Sequence, residues 1–215
     1  MKNFNPGALA LYLVTDRALA GGRPLEDIVA SAVRGGVTVV QLREKDIPTS
    51  IFIDAAQRLK MVLHGTGVPL IINDRVDIAL AVHADGVHLG QSDMPYDMAR
   101  RLLGPDAIIG LSVENMEQVE QANALDVDYI GVSPVFATPT KTDTALPFGL
   151  DGLRRAAALS VHPCVAIGGM NASTASDVMG CGADGIAVVS AIMASKNPCL
   201  AAAHLKEIVE LSRCK

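Results

Sequence analysis

The chain has 215 residues, half of them apolar, 19% charged and only 3% aromatic, with a net charge of −5. That balance excludes a disordered chain, and the mild acidity offers no broad basic surface for nucleic acid. No apolar run reaches the roughly 18 residues of a membrane span, so the apolar excess builds a dense core of Val, Ile, Leu and Ala in a soluble protein.

Short apolar runs alternate with helical patterns along the whole chain. The first, "LYLVTD" (11–16), follows Ala-rich residues that faintly imitate a signal peptide, but Thr15-Asp16-Arg17 interrupts the run, and a strand ending in polar residues explains it better. Further strands are expected at 39–44 ("VVQLRE"), 70–74 ("LIIND"), 86–90 ("GVHLG"), 108–113 ("IIGLSV"), 129–136 ("YIGVSPVF"), 164–169 ("CVAIGG") and 186–190 ("IAVVS"). Amphipathic stretches lie between them, such as "PLEDIVASAVRGG" and "SIFIDAAQRLKMVLHG". Pro24 and Ser173 are placed to start helices, and Gly35, Gly65 and Gly180 to end them. The four cysteines, Cys164, Cys181, Cys199 and Cys214, have no paired spacing and read as reduced thiols of a cytoplasmic protein.

Strands alternating with helices imply right-handed βαβ units and a parallel sheet. A weak internal repeat narrows the choice. "GVTVVQLR", "HADGVHLGQ", "DVDYIGVSP" and "GADGIAVVS" share a small or acidic approach to a strand, and they introduce the second, fourth, sixth and eighth strands. Two strands and two helices repeated four times make a closed (βα)8 barrel, whereas an open doubly wound sheet needs no such repeat, and no GxGxxG follows the first strand. The expected fold is α/β, a single TIM-barrel domain over residues 1–215.

In such a barrel the C-terminal strand ends form the active site. The unusual residues of this sequence lie there: "QLREK" after the second strand, "ND" after the third, "GQSD" after the fourth, Ser112 in the fifth, "ATPTKTD" after the sixth, "GGMN" after the seventh and Ser190 after the eighth. Period-two geometry puts Gln41, Arg43 and Lys45 on the face that points into the barrel and Leu42 and Glu44 on the other. Asp74 and Asp93 end neighbouring strands and form a carboxylate pair suited to a hard cation such as Mg²⁺. Gly168–Gly169 and Val189–Ser190 match the place where barrels of this kind bind phosphate. His88 reads as a structural histidine, and Asp77 and Arg75 read as helical surface.

The motifs "LYLVTD", "QLREK", "IINDRVDIALAVHADGVHLGQSD", "GLSVEN", "GVSPVFATPTKTD", "AIGGM" and "VVS", in that order, resemble the thiamine-phosphate synthase family over nearly the whole chain. The resemblance implies condensation of 4-amino-2-methyl-5-(diphosphooxymethyl)pyrimidine with 4-methyl-5-(2-phosphooxyethyl)thiazole, giving thiamine phosphate and diphosphate. It carries Gln41, Leu42, Arg43, Glu44, Lys45, Asn73, Ser112 and Lys141 to the pyrimidine-diphosphate site, with Arg43, Lys45, Ser112 and Lys141 acting in catalysis. Asp74 and Asp93 become ligands of one Mg²⁺ per subunit. Thr138, Pro139, Thr140, Gly169, Val189 and Ser190 become the thiazole-phosphate site. The partners implied are small phosphorylated substrates. A thiazole tautomerase-like relative would instead need a general acid or base and no diphosphate clamp, and a non-catalytic phosphate binder would need neither Asp74 nor Lys141.

Overall fold

In the computed structural model, which describes residues 5–138 and 146–213, eight parallel strands close into one barrel in sequence order. The strands are β1 Leu11–Val14, β2 Val39–Leu42, β3 Leu70–Asn73, β4 Gly86–Leu89, β5 Ile108–Val113, β6 Tyr129–Val132, β7 Cys164–Ile167 and β8 Gly185–Val188. The helices are α1 Leu25–Arg34, α2 Thr49–Leu63, α3 Val76–Val82, α4 Tyr96–Leu103, α5 Met116–Ala122, α6 Gly149–Leu159, α7 Ala175–Met179, α8 Ser190–Met193 and α9 Pro198–Arg213. A 3₁₀ turn, Pro6–Leu9, precedes β1.

The helices form where the apolar spacing dictates. In α1, Leu25, Ile28, Val29 and Ala32 repeat at the i, i+3, i+4, i+7 spacing and are the buried residues, with Glu26 and Asp27 in the first turn and Gly35 capping the end. Along the strands the period is two. Leu11, Leu13, Val40, Leu42, Leu70 and Ile72 pack outward against the helices, while Tyr12, Val14, Val39, Ile71, Tyr129, Val165 and Ala187 fill the barrel interior.

The expected strands are all present, and their ends correct the sequence reading. β2 stops at Leu42, β3 at Asn73, β6 at Val132 and β8 at Val188, because the polar residues beyond them leave the ladder for the barrel mouth. Helix α2 ends at Leu63 with His64 as its cap, not at Gly65, and α7 starts two residues after Ser173.

The internal repeat has a physical cause. The residue just before each even-numbered strand accepts a hydrogen bond from a backbone N–H at the start of the preceding odd-numbered strand. Thr38 Oγ1 takes that of Leu11 at 2.9 Å, Asp85 Oδ2 that of Leu70 at 2.8 Å, Asp128 Oδ2 that of Ile109 at 2.7 Å and Asp184 Oδ2 that of Cys164 at 2.7 Å. These four side chains satisfy buried donors at the bottom of the barrel and fix the register of each strand pair there. The top is left for other chemistry.

Replacing Asp184 with Ala orphans the Cys164 N–H and is expected to lower stability by roughly 1–3 kcal/mol, whereas Asn keeps an acceptor and loses less than half of that. Thermal melts of the two variants check the ordering, and equal losses would mean that the N–H is satisfied in another way.

Candidate functional site

A cavity of about 770 Å³ opens at the C-terminal ends of the strands. Its floor is made by the inward-facing residues Tyr12, Val165 and Ala187, and its rim by the polar strand ends. Of the residues singled out in the sequence, Gln41, Arg43, Lys45, Asn73, Asp74, Asp93, Ser112, Thr138, Gly169, Val189 and Ser190 all line it. Pro139, Thr140 and Lys141 lie outside the described residues.

Leu42 and Glu44 do not line the cavity. Leu42 is wholly buried among the residues that face the helices. Glu44 is buried too and receives a forked ion pair from Arg17, with Nε at 3.0 Å and Nη2 at 2.5 Å from Oε1. The Arg43 N–H donates to Thr15 Oγ1 at 3.1 Å, and Thr15 N–H donates to Gln41 O at 2.9 Å. The alternation therefore continues past the end of β2, with Glu44 anchored outward so that Arg43 and Lys45 reach the mouth.

The end of β3 is the most constrained turn of the rim. Asp74 N–H still donates to His88 O at 2.9 Å, so its backbone remains tied to β4. Its φ is +62°, and Arg75 N–H returns to Asn73 O at 2.7 Å, a γ-turn with Asp74 at its centre. A non-glycine residue held in that region costs on the order of 1–3 kcal/mol. The turn swings the Asp74 carboxylate over the cavity and releases the chain into α3. Arg75 caps that helix without a side-chain bond and pairs with Asp77 on the surface at 2.6 Å, as the sequence suggested.

Lys45 Nζ meets Asp74 Oδ2 at 2.6 Å, and Asp93 folds back in its own turn to accept the Gly90 N–H at 2.7 Å. The two carboxyls lie close enough to shift each other's titration. Burial opposes the charge of Asp74, but bonding with Asp93 and Lys45 and the Lys45 charge outweigh it and hold its carboxyl below the usual range. Asp93 goes the other way, pushed up by burial and by its bond and repulsion with Asp74. The two therefore titrate as a pair, with Asp93 holding its proton to higher pH than Asp74. Beside it Asn73 is 7% exposed, and its Nδ2 has no hydrogen-bond partner among the described residues. An orphaned buried donor costs about 1–3 kcal/mol unless something entering the cavity accepts from it.

On the opposite rim, Gly168 and Gly169 have φ of +99° and +72°. A Cβ on Gly168 would lie 2.8 Å from Pro134 Cβ, and one on Gly169 would lie 2.9 Å from Phe136 Cβ. Packing of the segment after β6 is thus one reason for the glycine pair, since Val135 N–H donates to Ile167 O and Phe136 N–H to Gly168 O. Next to it the short α8 begins at Ser190, and Arg23 holds its far end by donating to Ser195 O at 2.7 Å and to Met193 O.

His88 keeps its sequence reading as a satisfied histidine and adds to it. Its ring is hydrogen-bonded on both nitrogens, as expected of a structural histidine, yet it also lines the cavity beside Ser112. Tyr12, Gln91 and Ser133 line it as well. For Tyr12, His88 and Ser133 the parity within or just beyond a strand is the signal that could have found them, as His88 shares neither the outward face of Val87 nor that of Leu89. Gln91 has outward parity, and the sequence carries no such signal for it.

Residues 11–192 match the family model described as thiamine monophosphate synthase. The chain belongs to this family. The thiamine-phosphate synthase of Albidiferax ferrireducens is 57% identical over 94% of this chain and 93% of its own, and that of Vibrio parahaemolyticus is 51% identical over 94% and 99%. The solved thiamine phosphate pyrophosphorylase of Pyrococcus furiosus superposes with a TM-score of 0.88 at 39% identity, over 96% of this chain and 98% of that one. The family's barrel is therefore the barrel described above, strand for strand across nearly all of the chain.

Asp74→Gly and Asp74→Ala remove the same carboxylate and differ in backbone strain. The Gly variant is expected to be more stable by about 1 kcal/mol, a melting difference of about 2–4 °C. Equal melting temperatures would mean that the turn relaxes from its positive φ.

Proposed function

We propose that this member of the thiamine monophosphate synthase family joins the pyrimidine diphosphate to the thiazole phosphate at the barrel mouth, in thiamine biosynthesis. The observation that carries the reading is the convergence of Arg43 and Lys45 with the Asp74–Asp93 pair and the buried amides of Gln41 and Asn73 in one cavity. Cations and paired carboxylates suit a metal-bound diphosphate, and amides that donate and accept suit an aminopyrimidine edge.

The chemistry needs little from the protein beyond charge and position. Arg43 and Lys45 neutralise the charge that grows on the diphosphate as its bond to the pyrimidine methylene breaks. The bonding pair leaves with the diphosphate, and electron donation from the aminopyrimidine stabilises the carbon left behind. The thiazole nitrogen then supplies its lone pair, so one C–O bond breaks, one C–N bond forms and no proton is transferred. No general base is required. Ser112 orients the diphosphate, Lys141 adds a third cation, and Asn73 Nδ2, without a partner among the described residues, gains an acceptor. Thr138 to Thr140, Gly169, Val189 and Ser190 hold the phosphate of the thiazole.

The donor set fits Mg²⁺. Asp74 and Asp93 supply hard carboxylate oxygens, no cluster of three or more His, Cys, Asp or Glu side chains stands ready for a softer metal among the described residues, and substrate phosphate completes the ligands. When bound, one Mg²⁺ per subunit supplies Lewis-acid charge to the leaving group. We read the chain as cytoplasmic: Cys164 and Cys181 are buried free thiols, and burial pushes the Cys164 thiol up to about 11. Among the described residues no helix is long and apolar enough to cross a membrane.

With both substrates and Mg²⁺, the purified protein is expected to release diphosphate and form thiamine phosphate, and Arg43→Ala is expected to cut turnover by roughly 100-fold. An absence of product at saturating substrate would overturn the reading. The carboxyl pair makes a separate claim about pH. Because Asp93 is raised, it must lose a proton to bind a cation, so Mg²⁺ affinity weakens by up to about tenfold per pH unit as pH falls through that raised value. Calorimetry in buffers of different ionisation heat checks the proton release, and pH-independent binding would contradict it.

A further inference from the structure

Along the cavity floor runs a hydrogen-bond chain whose middle members, Tyr12, Tyr129 and His88, have no part in the mechanism above. Gln41 Nε2 donates to Tyr12 Oη at 2.8 Å, Tyr12 Oη lies 2.7 Å from Tyr129 Oη, Tyr129 Oη lies 3.0 Å from His88 Nδ1, and His88 Nε2 lies 2.9 Å from Ser112 Oγ. It crosses the barrel from β2 through β1, β6 and β4 to β5, and both of its ends line the cavity. Tyr129 and Tyr12 are 1% exposed, so the middle of the chain is buried.

The fold makes room for this chain. Gly110 stands beside Tyr129 on the neighbouring strand, where a Cβ would fall 2.1 Å from Tyr129 Cζ and 2.6 Å from His88 Nδ1. The two rings stack with centroids 5.5 Å apart, and Tyr12 meets Tyr129 edge to face at 5.8 Å. Any side chain at Gly110 would displace the phenol that links the two halves.

We propose that Tyr129 is a positioning residue that fixes the direction of this chain and thereby makes Ser112 a donor toward the diphosphate. The direction follows from the Gln41 end. The Gln41 amide N–H donates to Tyr12, so the Tyr12 proton goes to Tyr129 and the Tyr129 proton to His88 Nδ1. An imidazole that accepts at Nδ1 carries its hydrogen on Nε2 and donates it to Ser112 Oγ. Ser112 has used an acceptor position, and its own hydroxyl proton turns into the cavity. With the reverse direction Ser112 would spend its proton on His88 and present only lone pairs to an anion. At the opposite end, the donation by Gln41 Nε2 leaves the amide oxygen, which accepts from no described residue, to receive the amino group of the pyrimidine. One polarity sets a donor at the phosphate end and an acceptor at the pyrimidine end.

The proposal rests on the reading of Ser112 and Gln41 as substrate contacts, and its primary test does not depend on activity. Long-range ¹H–¹⁵N correlation on protein labelled with ¹⁵N-histidine reads the His88 tautomer directly, with His88→Gln providing the assignment. The ligand-free parent protein is expected to hold the neutral ring with hydrogen on Nε2 and Nδ1 bare. Tyr129→Phe, which keeps the ring packing and removes the link, is expected to admit the other tautomer and to lower kcat about tenfold while the KM for the thiazole phosphate is unchanged. A parent ring protonated on Nδ1 overturns the proposal whatever the enzyme catalyses. So does a Tyr129→Phe protein with an unchanged tautomer and unchanged kcat. Inactivity of the parent protein together with the Nε2–H tautomer would leave the chain intact and refute the synthase reading instead.

Discussion

Closure of the sheet is the constraint on which everything else depends. Because β1 pairs with β8 as well as with β2, the barrel has no edge, and all eight strands end on one ring. Residues far apart in sequence are forced to face each other there: Arg43 and Lys45 after β2, Asn73 at the end of β3 with Asp74 beyond it, Asp93 after β4, Ser112 from β5 and Gly169 after β7. The bottom of the barrel carries the cost of order. Thr38, Asp85, Asp128 and Asp184 satisfy strand N–H groups there, and the Val, Ile and Leu residues facing the helices supply the burial. The top tolerates features that a core would reject, among them a left-handed Asp74, two interacting carboxyls and an Asn73 Nδ2 without a partner among the described residues. Local strain and unsatisfied groups gather at the barrel mouth and are absorbed by the stability of the rest.

Much of this was legible in the sequence because the signals are periodic. Val, Ile and Leu runs set off by Gly, Pro and polar residues mark the strands, and the acidic approach to the even strands marks their pairing into a fourfold repeat. Period two correctly divided "QLREK" into cavity-facing Gln41, Arg43 and Lys45 and outward Leu42 and Glu44. The family resemblance treats the motif as contiguous and places all five residues at the site. The structure gives the outward pair other work: Leu42 packs under the helices, and Glu44 anchors Arg17.

What the sequence hid has two physical sources. Strand ends were read too long because Arg43, Asp74 and Ser190 continue the alternation visually after the backbone has left the ladder, and only the hydrogen bonds locate the exit. The Tyr12–Tyr129–His88 chain was hidden for a different reason. Its two tyrosines are 117 residues apart, each looks like an ordinary core aromatic, and only the closed register brings their hydroxyls to 2.7 Å. A histidine with both nitrogens satisfied looks structural by every local criterion, yet this one also lines the cavity.

The central claim is that one mouth holds the diphosphate, the metal and both heterocycles at once. A crystal structure with thiamine phosphate, diphosphate and Mg²⁺ tests it most directly. The account predicts the metal between Asp74 and Asp93, the diphosphate against Arg43 and Lys45, the pyrimidine edge on Gln41 and Asn73, and the thiazole phosphate at Gly169 and Ser190. Diphosphate bound away from Arg43 and Lys45, or a metal that touches neither aspartate, would contradict it.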